Sequence, residues 1–187
     1  VADATSCAFV MKTIHTPHAG KLSLARVFAG TFSDGDAVYG GEADERIAGT
    51  FDVLGQEAVK RGPAKPGDTV AFGRLESVKT GDTLSAEKGA VASYARSAVP
   101  EPVFGLALAA KDKKDEVKLT TGLAKIIEED PSISIAHDQD MSQMVLWGQG
   151  EMHLRVALER LIRKYGAAAE TYPRQIPYKE TIRKSVE

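Results

Sequence analysis

Four short stretches of the 187-residue chain hold the residue types that chemistry would need. Ala19-Gly20-Lys21-Leu22-Ser23 approaches a phosphate-cradling loop, but such a loop needs a glycine five residues before Gly20, where His15 stands. Gly148-Gln149-Gly150 lies between a strand-like and a helix-like run, where a dinucleotide turn would sit, yet the third glycine of that fingerprint falls on His153. A tight strand-to-helix turn explains it better. His15 and His18, and the group His137, Asp138 and Asp140, offer metal-ligand types. The first pair lacks a third ligand nearby, and the second lacks the glycine and distal glutamate of a calcium loop. Glu151 and His153 would serve as a general acid and base, although the positive end of a helix dipole accounts for Glu151 alone. Cys7 stands in no recognisable nucleophile arrangement.

Composition narrows the setting for these residues. The chain is 43 % apolar and 27 % charged, with one cysteine and a formal charge of -2. It can bury a core, cannot form an internal disulfide, and has no His/Cys zinc cluster, so a reducing, cytoplasmic setting is expected. No apolar run approaches the roughly 20 residues of a membrane helix. A pI near 6.1 excludes a surface that is basic throughout, so any RNA contact must be a local patch.

The elements that must position these residues fall into two halves. Up to about residue 97, short extended runs alternate with turn chemistry: strands are expected over Ser6–Ile14, Lys21–Phe32, Ala37–Tyr39, Arg46–Leu54, Glu57–Lys60, Thr69–Leu75 and near Thr80–Leu84. Such spacing predicts an all-β barrel or sandwich. Leu22, Leu24, Phe28 and Phe32 share one face of the second run, and Arg26 interrupts it.

After Pro100-Glu101-Pro102 the period changes. A strand over Val103–Ala109 precedes a helix carrying Leu119, Leu123, Ile126 and Ile127, which must end near Asp130 because Pro131 follows. Strands over Ser132–Ala136 and Met144–Trp147 flank a polar turn. A second helix over Glu151–Tyr165, with Leu154, Leu158, Leu161, Ile162 and Tyr165 on one stripe and Gly166 as its cap, precedes a strand over Ala168–Thr171. The order β-α-β-β-α-β is the ferredoxin-like, α+β arrangement.

Net charge hides a reversal inside this second half. Residues 97–154 carry five Lys/Arg against ten Asp/Glu, and residues 155–184 carry eight against three. Solvated faces and the i,i+4 pairs Glu151/Arg155 and Glu159/Arg163 would also explain it. Glu128-Glu129-Asp130 closes the first helix at the end where its dipole disfavours negative charge, which points to a basic partner or a solvated end.

The ordered set of segments resembles the middle of elongation factor G. The matching pieces are Phe9-Val10-Met11-Lys12-Thr13, the run from Gly20 to Gly30, Pro66-Gly67-Asp68, Thr80-Gly81-Asp82-Thr83-Leu84 and Pro100-Glu101-Pro102-Val103. They continue with Glu128-Glu129-Asp130-Pro131, Gly148-Gln149-Gly150-Glu151-Met152-His153-Leu154 and Tyr178-Lys179-Glu180-Thr181-Ile182. The family's usual Met and Leu in the glycine motif are here Gln149 and Met152, and His15-Thr16-Pro17-His18 replaces the commoner acidic turn, as in a diverged paralogue.

The resemblance implies a domain II barrel over 1–97, a ferredoxin-like domain III over 98–178, and in 179–187 the start of a connection to an absent domain IV. It implies a monomeric, cytoplasmic, non-catalytic segment with no cofactor of its own. GTP and magnesium would sit in an absent GTPase domain whose hydrolysis is coupled to tRNA and mRNA translocation. Its partners would be that GTPase domain, small-subunit ribosomal RNA and ribosomal proteins, and no membrane. Lys12, Lys21, Arg26, Lys60, Arg61, Arg155, Arg160, Arg163 and Lys164 are the contact candidates, chosen for charge. Glu128, Glu129, Asp130, Gly148, Gln149, Gly150 and Glu151 are the coupling candidates. Competing readings are a related ribosome-acting GTPase in recycling, ribosome protection or release, a small enzyme using Glu151 and His153, and a plain protein-interaction module.

Overall fold

The computed structural model describes residues 5–16, 19–40, 43–55, 57–89 and 94–181. His18 and the last six residues of the expected connection lie outside the described residues. The chain divides into two units, the first made of the residues up to Val99 with Glu128–Pro131, the second of Pro100–Ile127 with the residues from Ser132 on.

Among the described residues, eight strands build the first unit: β1 (Cys7–Thr16), β2 (Gly20–Ala29), β3 (Ala37–Val38), β4 (Glu45–Arg46), β5 (Thr50–Leu54), β6 (Glu57–Arg61), β7 (Thr69–Gly73) and β8 (Thr83–Ser85). Six form an antiparallel sheet in the order β6-β5-β7-β2-β1-β8, and β3 pairs with β4. Bridges Tyr39↔Ser85 and Phe32↔Ala64 tie the connecting segments to this framework. One core fills the barrel, with Val10 from β1, Ala25 and Val27 from β2, Phe72 from β7, Leu84 from β8, and Phe32, Ile47 and Leu75 from the connections.

Three turns share one chemistry. In Ser33-Asp34-Gly35-Asp36, Lys65-Pro66-Gly67-Asp68 and Lys79-Thr80-Gly81-Asp82, the fourth residue's N–H donates to the first residue's carbonyl at 3.2, 3.0 and 3.1 Å. The aspartate carboxylate also accepts the N–H of the first residue, at 2.6, 2.9 and 2.7 Å. The intervening glycines stand at φ 91°, 92° and 92°, a region that side chains rarely adopt. Each turn closes from both ends.

Two expectations are corrected. Leu22 and Phe32 of the expected face are fully buried, but in the second half of β2 the inward residues are Ala25 and Val27, whereas Arg26 and Phe28 point outward. Arg26 therefore breaks no pattern, because strand alternation leaves it with Phe28 on the outer face. The run expected over Arg46–Leu54 is two strands. Between them Ile47, Ala48 and Gly49 donate to the Asp36 and Gly73 carbonyls and to the Asp34 carboxylate, and so leave the ladder.

The second unit follows the predicted β-α-β-β-α-β order: β9 (Phe104–Ala110), α1 (Glu116–Glu129, whose last two residues count with the first unit), β10 (Ser134–Asp138), β11 (Gln143–Gly148), α2 (Glu151–Tyr165) and β12 (Ala169–Pro173). Its sheet runs β10-β11-β9-β12, antiparallel throughout. Leu119, Leu123 and Ile126 of α1 and Leu154, Ala157 and Leu161 of α2 pack with Leu108 and Leu146 on one face of the sheet. Gly122 permits close approach, since a Cβ there would lie 2.6 Å from Leu161 Cδ1. Ile162, expected on the buried stripe, is exposed; Ala157 takes that role. Gly166 caps α2 in the left-handed conformation, its N–H donating to the Ile162 carbonyl.

The core and turn arrangement sets two expectations. Phe72→Ala removes a fully buried ring 5.5 Å from that of Phe32, and should lower the first unit's stability in denaturant titration by about 3–5 kcal/mol. Lys60 and the Gly49 N–H hold the Asp34 carboxyl below its ordinary range, and the Lys65 N–H does the same for Asp68. Folded carboxylates with depressed pKa stabilise above their unfolded value and lose that contribution as pH falls further. The first unit's melting temperature should therefore drop below about pH 4, with a shallower drop in the Asp34→Asn/Asp68→Asn double variant.

Candidate functional site

The cations of the first unit differ in how they are used. Lys21 is 3 % exposed, donates to the Glu76 carbonyl at 2.6 Å and lies 3.5 Å from the Glu128 carboxylate, inside the unit that includes Glu128–Pro131. In the same cluster His15 Nε2 meets the other Glu128 oxygen at 2.7 Å, and the His15 N–H donates to Glu129 at 2.7 Å. Glu128 and Glu129 thus satisfy an imidazole, an ammonium and a backbone N–H. Lys60 pairs with Asp34, and Arg61 bridges Asp52 and Asp68. Lys12 and Arg26 are exposed and form no ion pair among the described residues; Arg26 donates to Thr69 at 3.0 Å.

Helix α2 presents a different picture. Arg155, Arg160 and Arg163 are exposed and form no ion pair among the described residues, so the expected Glu151/Arg155 and Glu159/Arg163 pairs do not close. Lys164 lies over the Tyr165 ring at 5.8 Å. Arg163 and Lys164 fall in the last turn, where the helix dipole favours positive charge. Three guanidiniums thus face solvent without an ion pair among the described residues.

The turn before α2 is built by close approach. A Cβ on Gly148 would lie 2.5 Å from the buried Leu154 side chain and 3.1 Å from His153 Nδ1. Gly150 is extended at φ 164° and has open space around it. No side chain caps the helix at Gly150; instead the Gln149 N–H donates to His153 Nδ1 at 3.1 Å. Gln149 Nε2 donates to the Pro100 and Glu101 carbonyls at 3.0 and 3.1 Å, pinning the entry to this unit against the turn. Glu151 is exposed. His153 Nδ1 is occupied as an acceptor, so the Glu151/His153 pair has no base held ready on that nitrogen.

Elsewhere, Asp138 ends β10 and Asp140 lies in the turn that leads to β11, paired loosely with Arg174 and Lys179 at 4.0 and 3.8 Å. His137 is exposed on the edge strand β10. No group of three or more His, Cys, Asp or Glu among the described residues is arranged to hold a metal. Cys7 is buried beneath Tyr94, and burial pushes its thiol pKa up, the wrong direction for a nucleophile. No helix among the described residues is long and apolar enough to cross a membrane.

The family model for elongation factor G domain 2 matches residues 5–87, and that for elongation factor G domain III matches residues 99–173. The chain belongs to the elongation factor G family and carries its domains II and III. It is 43 % identical over 178 residues to an elongation factor G-like protein of Synechocystis sp., covering 95 % of this chain and 26 % of that protein. It is 36 % identical over 198 residues to a like-named protein of Mycobacterium tuberculosis, covering 96 % and 28 %. A crystal structure of a protein from Thermus thermophilus matches with a TM-score of 0.84 and 29 % identity, over 97 % of this chain and 28 % of that one. The chain thus spans about a quarter of the length of the curated relatives it matches.

Within this elongation factor G domain III, the glycine motif divides into a structural and a permissive position. Gly148→Ala should destabilise the second unit by about 1–3 kcal/mol through overpacking against Leu154, whereas Gly150→Ala should be near neutral. Urea titrations of the two variants, followed through α2 helicity, separate the cases.

Proposed function

We propose that this segment is the ribosome-contacting and coupling part of an elongation factor G-like translational GTPase. In this reading GTP and magnesium are bound by a GTPase domain elsewhere in the parent protein. The two domains lean on small-subunit ribosomal RNA and proteins in the cytoplasm, and relay the nucleotide state to tRNA and mRNA translocation. The chain acts as a monomer and carries no catalytic group.

One observation supports the contact role above the others: Arg155, Arg160 and Arg163 form an exposed cationic face on α2 without carboxylate partners among the described residues. The carboxylates of Glu151 and Glu159 stand at i,i+4 spacing to Arg155 and Arg163 and do not engage them, which leaves these charges open to an external anion. Lys12 and Arg26 are secondary contact candidates on the barrel, and Lys21 is left out because its ammonium is enclosed. The committed Nδ1 of His153 weighs against the acid–base enzyme reading. Recycling, ribosome protection and release remain related readings, because they share these domains' contacts and differ in the parent's other parts.

The test is the salt dependence of ribosome binding. Each phosphate neutralised adds to the slope of log affinity against log salt. Binding of the chain to ribosomes should weaken steeply with salt, and the triple variant Arg155→Gln/Arg160→Gln/Arg163→Gln should flatten the slope by roughly 2–3. An unchanged slope would remove α2 from the contact set.

A further inference from the structure

The sheet of the second unit has two faces, and the helices cover one. Alternation along the strands places Ser134, Ala136 and Asp138 of β10, Gln143, Val145 and Trp147 of β11, Gly105 and Ala107 of β9, and Glu170 and Tyr172 of β12 on the other. Small residues dominate its middle. Trp147 lies flat on Gly105, where a Cβ would come within 3.0 Å of the ring. Tyr172 is 49 % exposed at the edge, its hydroxyl donating to Glu170.

The chain's own continuation already rests on this surface. After β12, the Arg174 guanidinium sits over the Trp147 ring at 5.2 Å and reaches Asp138 at 4.0 Å. The Gln175 N–H donates to Gln143 Oε1 at 3.4 Å, and Lys179 Nζ lies 3.8 Å from Asp140. Each of these polar contacts is long for its kind. The side chains of Arg174 and Lys179 remain 41 % and 84 % exposed. Gln143 Nε2, on the same face, is buried with no hydrogen-bond partner. A buried amide donor left open costs free energy and marks a place for a carbonyl oxygen. The strap of residues 174–179 therefore fits the surface in kind and leaves it incompletely satisfied.

We propose that this face is a receptor for an extended, arginine-bearing protein segment, and that the strap is its loosely seated internal stand-in. The incoming guanidinium stacks on Trp147 and reaches Asp138, as Arg174 does. A second cation follows at Asp140, and a backbone carbonyl accepts from Gln143 Nε2. Asp138, Asp140 and Glu170 repel phosphate, so the surface favours a cationic peptide over a nucleic-acid strand. The proposal uses only contacts inside the second unit and does not depend on the translational role of the parent.

Trp147 is the sole tryptophan of the chain, so its fluorescence reports this site directly. The probe is a blocked peptide of the strap's own sequence, Arg-Gln-Ile-Pro-Tyr-Lys, titrated against the full chain and against the Arg174→Gln/Lys179→Gln double variant. The internal strap competes at high effective concentration, so the peptide should bind the variant about tenfold more tightly than the parent chain. Asp138→Asn/Asp140→Asn in the same background should abolish the response, as should a peptide with Arg and Lys replaced by Gln. Far-ultraviolet circular dichroism checks that each variant is folded. Failure of the peptide to perturb Trp147 in the folded double variant would overturn the proposal. So would an equal response to the Gln peptide, or saturable binding of oligouridylate in its place.

Discussion

The first unit depends on a single constraint applied three times, the reversal of chain direction within four residues by a glycine followed by an aspartate. Each turn delivers the chain directly into a strand, β3, β7 or β8, whose sheet partner is not the strand before the turn. Gly35, Gly67 and Gly81 supply a backbone conformation that other residues rarely adopt, and Asp36, Asp68 and Asp82 lock it by accepting an amide three residues back. The same turns reach further. Gly67 donates to Val27, Gly81 to Val10, and Arg61 and Arg96 pair with Asp68 and Asp82. A local device thereby sets the register of strands distant in sequence.

The second unit rests on close approach. Gly122 admits Leu161, Gly148 admits Leu154 and Gly105 admits the Trp147 ring. At each position a missing side chain lets a neighbouring element settle where a Cβ would stand. Packing of this kind is rigid, because interiors are near close-packed and cannot absorb a methyl group without displacement. Rigidity suits a segment whose proposed task is to transmit position.

Charge is divided between internal and external work. His15 and Lys21 are absorbed by Glu128 and Glu129, and Lys60 and Arg61 by turn aspartates. The guanidiniums of α2 are left over. Contact burial, which no formal charge count records, decides which cations face outward. Tyr172 shows the same dependence on neighbours: the bond to Glu170 raises its pKa.

The sequence by itself determined the two-part architecture, the order of elements and the family, because turn glycines, hydrophobic period and ordered motifs are local properties. Helix α2 was legible to its ends, since Gly150 and Gly166 bound an unbroken apolar stripe. Tertiary structure alone decided the facing of β2, where strand alternation admits two opposite solutions and only the pairing with β1 and β7 selects one. It also decided the break at residues 47–49, where amides leave the ladder for Asp34, Asp36 and Gly73. Lys21 reads in the sequence as a free cation like Lys12; the fold encloses it beside Glu128, more than a hundred residues away. Which charge is paired and which remains is a property of long-range proximity, and proximity of that range is not written in any local pattern.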